Sequence, residues 1–231
     1  MAVITISRQL GSGGDQIAER ICELSGYQRF DKHILARVAA EAGFSQEEII
    51  DYSESDHKVQ NFIDRLLGRT RPLAEVHIWR ESADGVRVSE AIPISEEHVL
   101  SLTRMAIEAA YKEDHFVIVG RGGQVILKDR PLALHVRIEA PLEDRIQHVR
   151  AQPNLAGQSY GLSYENRRAA QDRIDASDQA SADYLQRFYQ VDWRDLSLYH
   201  LILNSARLTT DQAARLIVAA AESIEREKEM A

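Results

Sequence analysis

Apolar positions along the chain recur in two alternating rhythms, short unbroken runs and runs spaced as on one helix face, and that alternation predicts an α/β fold. Val3-Ile4-Thr5-Ile6 reads as a buried strand, and Gly11-Ser12-Gly13-Gly14 bends the chain. Ile17, Ile21 and Leu24 then predict a helix over 15–24, which Gly26 ends. Tyr27 to Asp31 predicts a short second strand. Ile34, Leu35 and Val38 carry a helix over 32–42, and the Ser45 and Glu48 pair has the capping-box spacing for another to about Tyr52. From 53 to 71 the chain is polar and charged except at Phe62, Ile63, Leu66 and Leu67.

Residues 75–94 break the rhythm. Val76 and Ile78, then Val86 and Val88, alternate on either side of Asp84-Gly85, which predicts an antiparallel hairpin inserted into a β-α-β pattern. Ser95 opens a helix to about Lys112, with Val99, Leu102, Met105 and Ala109 expected on its core face. His115 to Val119 and Ala133 to Ile138 are nearly all apolar, as strands covered on both faces of a parallel sheet must be. Pro141 suits the start of a helix carrying Leu142, Ile146 and Val149.

Gln152 to Gly161 reads as a loop, and Ser163 caps a long polar helix to about Tyr189, expected to lie largely exposed. Tyr199 to Leu203 is the last strand. Thr209 with Gln212 caps the final helix, whose Ala213, Leu216, Ile217 and Ala220 are expected to pack on the sheet, and the charged tail from Glu222 is expected to fray. Five strands thus alternate with helices, and the carboxyl ends of those at 115–119 and 133–138 adjoin polar, glycine- or arginine-bearing segments, where open α/β sheets place ligands.

Composition narrows the class of partner. The 231 residues suffice for one α/β domain with insertions. A net charge of -8 argues against a nucleic-acid partner, yet leaves room for a small anion held by local arginines. The single cysteine, Cys22, permits no intrachain disulfide and is expected in the core. No apolar run approaches the roughly 20 residues that span a bilayer, and the start lacks a signal-peptide pattern, so a cytoplasmic protein without a membrane partner is expected. The eight histidines show no metal-ligand spacing, and no protein-built metal site is expected.

The chemistry gathers at the first bend. Glycines between a strand end and a helix start turn backbone N–H groups outward, toward a position that suits phosphate. The usual phosphate loop, G-x-x-x-x-G-K-[ST], is not matched: Arg8 stands at its first glycine, Gly14 at its lysine and Gln16 at its hydroxyl. The dinucleotide pattern G-x-G-x-x-G fits at Gly11 and Gly13 and fails at Gln16. Glycine for turn geometry alone is the competing reading. Among the arginines, Arg121 stands out because glycines flank it at a strand's carboxyl end, whereas Arg168 with Asp172 also fits an ordinary i,i+4 surface pair.

Four segments together resemble the cytidylate kinase-like family, relatives of the bacterial cytidylate kinases. They are Val3 to Ala18, Phe30-Asp31-Lys32-His33-Ile34, Val119-Gly120-Arg121-Gly122-Gly123, and the run from Val136 through Pro141 to Arg145; the resemblance extends from Ala2 to about Ala221. It implies a P-loop nucleoside monophosphate kinase fold: a five-stranded parallel sheet flanked by helices, a monophosphate-binding insertion that holds the hairpin, and a helical lid. The implied division of the single domain is a core of 1–38, 101–149 and 190–231, an insertion of about 39–100 and a lid of about 150–189.

By position, the resemblance implies that Gly11, Ser12, Gly13, Gly14, Asp15 and Gln16 cradle the phosphates of ATP. Asp31 and Arg37 fall where relatives contact the acceptor nucleotide, and Arg121 where they grip its phosphate. Arg168, Asp172 and Arg173, beside Arg167, resemble the lid that closes over the transferring group. Two departures stand out: the lysine and hydroxyl of the loop are missing, and Gly122 replaces an aspartate. The lysine-free loop is shared by the cytidylate kinase-like branch, and Arg8 and Ser12 are the nearest groups to meet the uncompensated phosphate charge. If the loop keeps its usual shape, lysine at position 14 should strengthen donor binding.

The implied reaction is transfer from ATP, with Mg²⁺, to CMP, dCMP or a similar nucleotide. It needs no dedicated base, because the attacking phosphate oxygen is already ionised, and rate comes from positioning and charge cancellation. The alternative is a non-catalytic nucleotide-binding sensor, or a kinase for another small acceptor. A dinucleotide-dependent oxidoreductase with Asp31 on a ribose leaves the hairpin and the lid unexplained.

Overall fold

The computed structural model describes residues 2–30, 34, 37, 75–81, 87–93, 96–151 and 164–230. In chain order the elements are β1 (Val3–Arg8), α1 (Gly14–Ser25), β2 (Gln28–Arg29), β3 (Glu75–Glu81), β4 (Arg87–Pro93), α2 (Glu96–Glu113), β5 (Phe116–Val119), α3 (Gly123–Ile126), β6 (Ala133–Glu139), α4 (Leu142–Ala151), α5 (Tyr164–Tyr189), a 3-10 turn (Leu196–Leu198), β7 (Leu201–Asn204) and α6 (Thr210–Met230). The chain divides into two compact units, Asp31–Ala109 and the remainder.

The larger unit holds a five-stranded sheet in the order β2-β5-β1-β6-β7, with every pairing parallel. The expected α/β class is therefore the observed one. β1 occupies the centre because Val3, Ile4, Thr5, Ile6 and Ser7 are all buried, on both faces of the strand. Ile4 lies opposite Val117 on one side and Leu134 on the other. β2 is shorter than expected and ends at Arg29.

The smaller unit contains the expected hairpin. β3 and β4 pair antiparallel from Glu75 opposite Pro93 to Glu81 opposite Arg87. Their Asp84-Gly85 turn, the helices expected over 32–52, the loop at 152–161 and the Ser163 cap lie outside the described residues, save that Ile34 and Arg37 are helical.

One helix, α2, turns a different face inward from the one periodicity predicts, whereas α6 keeps its expected Ala213, Ile217 and Ala220 at the core and departs only at Leu216. On α2 the buried residues are Thr103, Ala106, Ile107 and Ala110, while Met105 is 45% exposed. On α6 they are Ala213, Ala214, Ile217 and Ala221, and Leu216 is 50% exposed. The inner face of α6 is rich in alanine, which lets helix backbones approach closely. On α6 the neighbours are Ile17, Ala18 and Ile21 of α1, in one buried cluster. The Arg20 guanidinium donates to Asp211 across the same helix pair. Thr209 and Gln212 form the expected reciprocal cap, at 3.0 and 3.2 Å. The tail does not fray at Glu222: α6 continues to Met230, because Glu225 accepts hydrogen bonds from the Ala2 N–H and the Tyr27 hydroxyl.

One charged side chain is built into the core. Arg137 of β6 is 2% exposed, with its guanidinium 4.4 Å from the Trp193 ring centroid. It donates to the Trp193 carbonyl and to Glu139, each at 2.5 Å. The Trp193 indole N–H in turn donates to Ser7 Oγ at 2.8 Å. This network ties the segment between α5 and β7 to the end of β1.

A buried histidine pair makes the fold sensitive to acid. His135 Nδ1 lies 2.7 Å from Thr5 Oγ1, and its ring stacks on His200 with centroids 5.0 Å apart. Burial, aided by His200, lowers the His135 pKa from 6.5 to about 4. Between those two values the unfolded chain binds the proton and the folded chain does not, so stability present above pH 6.5 is lost as pH falls toward 4. The expected loss is about 3 kcal/mol. Thermal unfolding followed from about pH 7 to pH 4 should show this decline, and a shallower one in His135→Gln. An equal slope in that variant would place the acid sensitivity elsewhere.

Candidate functional site

The chain leaves β1 at Arg8 and is held in a fixed loop before α1 begins at Gly14. Gln9 N–H donates to the Ile138 carbonyl at 3.1 Å, and Ser12 Oγ donates to the Gln9 carbonyl at 2.8 Å. Leu10 N–H donates to Asp178 Oδ1 of α5 at 3.1 Å, and Asp178 Oδ2 receives the Arg145 guanidinium of α4 at 2.6 Å. Gly11 has φ 82° and comes so close to α4 that a Cβ there would lie 2.7 Å from the Arg145 carbonyl oxygen. Both backbone conformation and space therefore demand glycine.

Gly13, with φ 73°, is the N-cap of α1 and supplies no side-chain oxygen to the helix. The first intrahelical bond is from Ile17 N–H to the Gly13 carbonyl at 3.0 Å, so the amides of Gly14, Asp15 and Gln16 have no intrahelical acceptor. These orphan donors and the positive end of the helix dipole favour an anion. A cavity of about 340 Å³ lies beside the loop and reaches α1 at Gly13 and Ile17. Gly11, Ser12 and Gly13 form one wall, Asp144 and His148 of α4 another, and the segment from Ser205 to Thr210 closes it.

Arg8 rises beside the loop, with Nε 3.3 Å from Asp15 Oδ2, and is 36% exposed. Arg29 grips the other oxygen of Asp15 at 2.6 Å and reaches Glu19 at 3.0 Å. A Cβ on Gly120 would lie 3.2 Å from Arg8 Nη1, so the guanidinium spans from the loop to the end of β5. There Gly120, Arg121 and Gly122 have φ values of 71°, 57° and 73°, a left-handed run in which Arg121 alone carries a side chain. Its guanidinium carbon stands 5.2 Å from the Phe30 ring centroid. A Cβ on Gly122 would meet the Tyr189 ring at 2.9 Å, which explains why no aspartate follows the arginine. Burial and the neighbouring Tyr189 push the Tyr184 hydroxyl's pKa far up, against a smaller opposing pull from Arg121, so it stays protonated.

The sequence-predicted residues thus fall into groups. Arg8, the Gly11 to Gln16 loop and the Gly120-Arg121-Gly122 turn meet at the carboxyl edge of β1 and β5. Arg168 and Asp172 are exposed and Arg173 half-buried on α5, and none of the described hydrogen bonds or ion pairs joins them to the loop. Arg167 pairs with Glu143. Arg37 is an exposed residue of the smaller unit, and Asp31 lies outside the described residues.

Two readings of the loop need correction. The hydroxyl position of the phosphate-loop pattern directly follows its lysine and is therefore Asp15, not Gln16. Nor does the loop have room for lysine at position 14, since a Cβ on Gly14 would lie 2.6 Å from Arg8 Cβ. Sequence reasoning missed Asp178, Arg29 and the cavity wall at Asp144 and His148. Asp178 carried no signal, being one of several acids on a polar helix, whereas Asn204-Ser205 at a strand's carboxyl end did mark the third wall.

Comparison with known proteins accords with this arrangement. Residues 3–207 match the model of the cytidylate kinase-like family. A cytidylate kinase of Methanopyrus kandleri is 28% identical over 224 residues, which cover 96% of this chain and 94% of that protein. Among solved structures, an uncharacterized protein from Eubacterium ventriosum ATCC 27560 is 18% identical, covers 96% of this chain and 99% of its own, and superposes with a TM-score of 0.58, a likeness of fold. A shikimate kinase from Acinetobacter baumannii in complex with shikimate is 13% identical over 96% of this chain and 94% of its own, with a TM-score of 0.43. Because the family model spans most of the sequence, the chain belongs to the cytidylate kinase-like family.

Proposed function

We propose that this protein transfers the γ-phosphoryl group of ATP to a nucleoside monophosphate, CMP or dCMP first among the acceptors, as a cytoplasmic enzyme. The observation that carries the reading is the uncapped start of α1 behind left-handed Gly11 and Gly13, opening onto the 340 Å³ cavity. Glycine is needed at residue 11 for close approach, and the cavity beside it is large enough for part of a nucleotide. In this reading residues 1–38, 101–149 and 190–231 are the core, about 39–100 bind the acceptor, and about 150–189 act as a lid.

Bound MgATP supplies the phosphoryl group with part of its charge already neutralised. The amides of residues 13–16 receive phosphate oxygens, and Arg8 and Arg121 flank them and cancel charge on the donor and acceptor sides. Asp31 and Arg37 contact the acceptor, and Arg168, Asp172 and Arg173 close over the reacting groups and keep water out. Magnesium fits poorly at the pattern's own position, because both oxygens of Asp15 are taken by guanidinium groups, and no step is routed through it.

A second reading, a nucleotide-binding sensor or a kinase for another acceptor, is favoured by the lack of space for a lysine at Gly14. Coupled ADP release over a panel of nucleoside monophosphates and small metabolites separates the two. Fastest release with CMP or dCMP supports the proposal, and ATP binding without ADP release for any acceptor supports the sensor.

Two variants test the site. Arg121→Ala should lower transfer by about a hundredfold or more, as removal of a transition-state cation does. Its backbone stays left-handed between two glycines, and the melting temperature should fall by no more than roughly 3 °C. A large loss of stability would make Arg121 structural. Asp178→Ala frees the Leu10 N–H and strands a guanidinium in a mostly buried place, and should destabilise by about 3 kcal/mol. ATP affinity, measured where the variant is still folded, should fall as well; full affinity would mean that the loop holds its shape without the clamp.

A further inference from the structure

Position 14 has no side chain and position 8 has one, the reverse of the phosphate-loop pattern, in which the first position is glycine and the seventh lysine. The geometry joins the two departures. An ideal Cβ on Gly14 lies 2.6 Å from Arg8 Cβ and 2.8 Å from Arg8 Cγ. The Arg8 Cβ is set by the backbone of β1 and cannot swing aside as a side-chain tip can. Only one side chain fits there, grown either from the strand end or from the helix start.

We infer that positions 8 and 14 share one slot beside the loop, and that Arg8 fills it with the cation that the usual loop supplies from its lysine. Three features orient the guanidinium for that task. Asp15, itself held by Arg29, anchors Nε at 3.3 Å. Gly120 leaves Nη1 room at the end of β5. The side chain remains 36% exposed, open to a ligand instead of sealed in the core. Arginine presents a fork that bridges phosphate oxygens, where lysine presents a single point of charge. The absent lysine is then an exchange of origin for the cation and no loss of it. The inference rests on the ATP-dependent reading above.

The test is an exchange of the two residues. Wild type, Arg8→Gly, Gly14→Lys and the double variant are compared by thermal unfolding and by calorimetric titration with MgATP. Gly14→Lys alone should lose roughly 5 °C in melting temperature, because two side chains are forced into one slot. Arg8→Gly alone should weaken ATP binding about tenfold or more. The double variant should regain both the lost melting temperature and most of the ATP affinity. A double variant as unstable as Gly14→Lys overturns the shared slot. One that recovers stability but not affinity, or an Arg8→Gly that binds ATP like wild type, overturns Arg8 as the loop's cation. Wild type that binds no ATP overturns the proposed function, and the cation role with it, whereas wild type that binds ATP beside an unaffected Arg8→Gly overturns the cation role alone.

Discussion

Asp178 holds the loop by accepting the Leu10 N–H with one oxygen and the Arg145 guanidinium with the other, and the shape of the candidate site depends on that double contact. A glycine-rich turn left to itself samples many conformations, and ordering it opposes folding by about 1–2 kcal/mol per residue. Here the ordering is shared among few contacts. Ser12 closes the turn on Gln9, Gln9 is tied to Ile138 and Ala140, and Asp178 fastens its middle to α4 and α5. With its neighbours committed in this way, the loop lines the cavity with Gly11, Ser12 and Gly13, and α1 begins without a side-chain cap.

The same economy appears at the other end of the sheet edge. Arg137 is a full charge in the core, and it is tolerated because the Trp193 carbonyl, the Glu139 carboxylate and two aromatic faces take the place of water. Through Trp193 and Tyr199 the network reaches Ser7, the residue before Arg8. The strand end that launches the loop is thereby braced from the β7 side as well as from α4. Both sets of contacts position backbone, and neither supplies a group to the cavity.

Charge around the site is arranged in pairs. Arg8 and Arg29 share Asp15, and Arg29 also reaches Glu19. In a chain of net charge -8 these exposed pairs add little to stability, since water screens them. Their consequence is directional: a guanidinium held by a carboxylate at one nitrogen points its others along a fixed line. Arg121 gains direction differently, from a left-handed backbone that only its flanking glycines allow the chain to enter.

The sequence by itself determined the alternation of strands and helices, the hairpin, the capped start of α6 and the glycine bend after β1, because each depends on residues near one another in the chain. Val3 to Ile6 is apolar on both faces and so belongs mid-sheet, and Thr209 with Gln212 spells its own cap. Only the tertiary structure decided which face of a helix turns inward. On α2 Thr103, Ala106, Ile107 and Ala110 are buried and Met105 is not, and on α6 the packing against α1 adds Ala214 and Ala221 to the expected Ala213 and Ile217 and leaves Leu216 out. Asp178 as the loop's clamp, the reason for Gly122 and the exclusion between Arg8 and Gly14 likewise lay beyond the sequence. Each is a contact or a clash between atoms whose distance folding sets, and no local pattern of residues encodes such a distance.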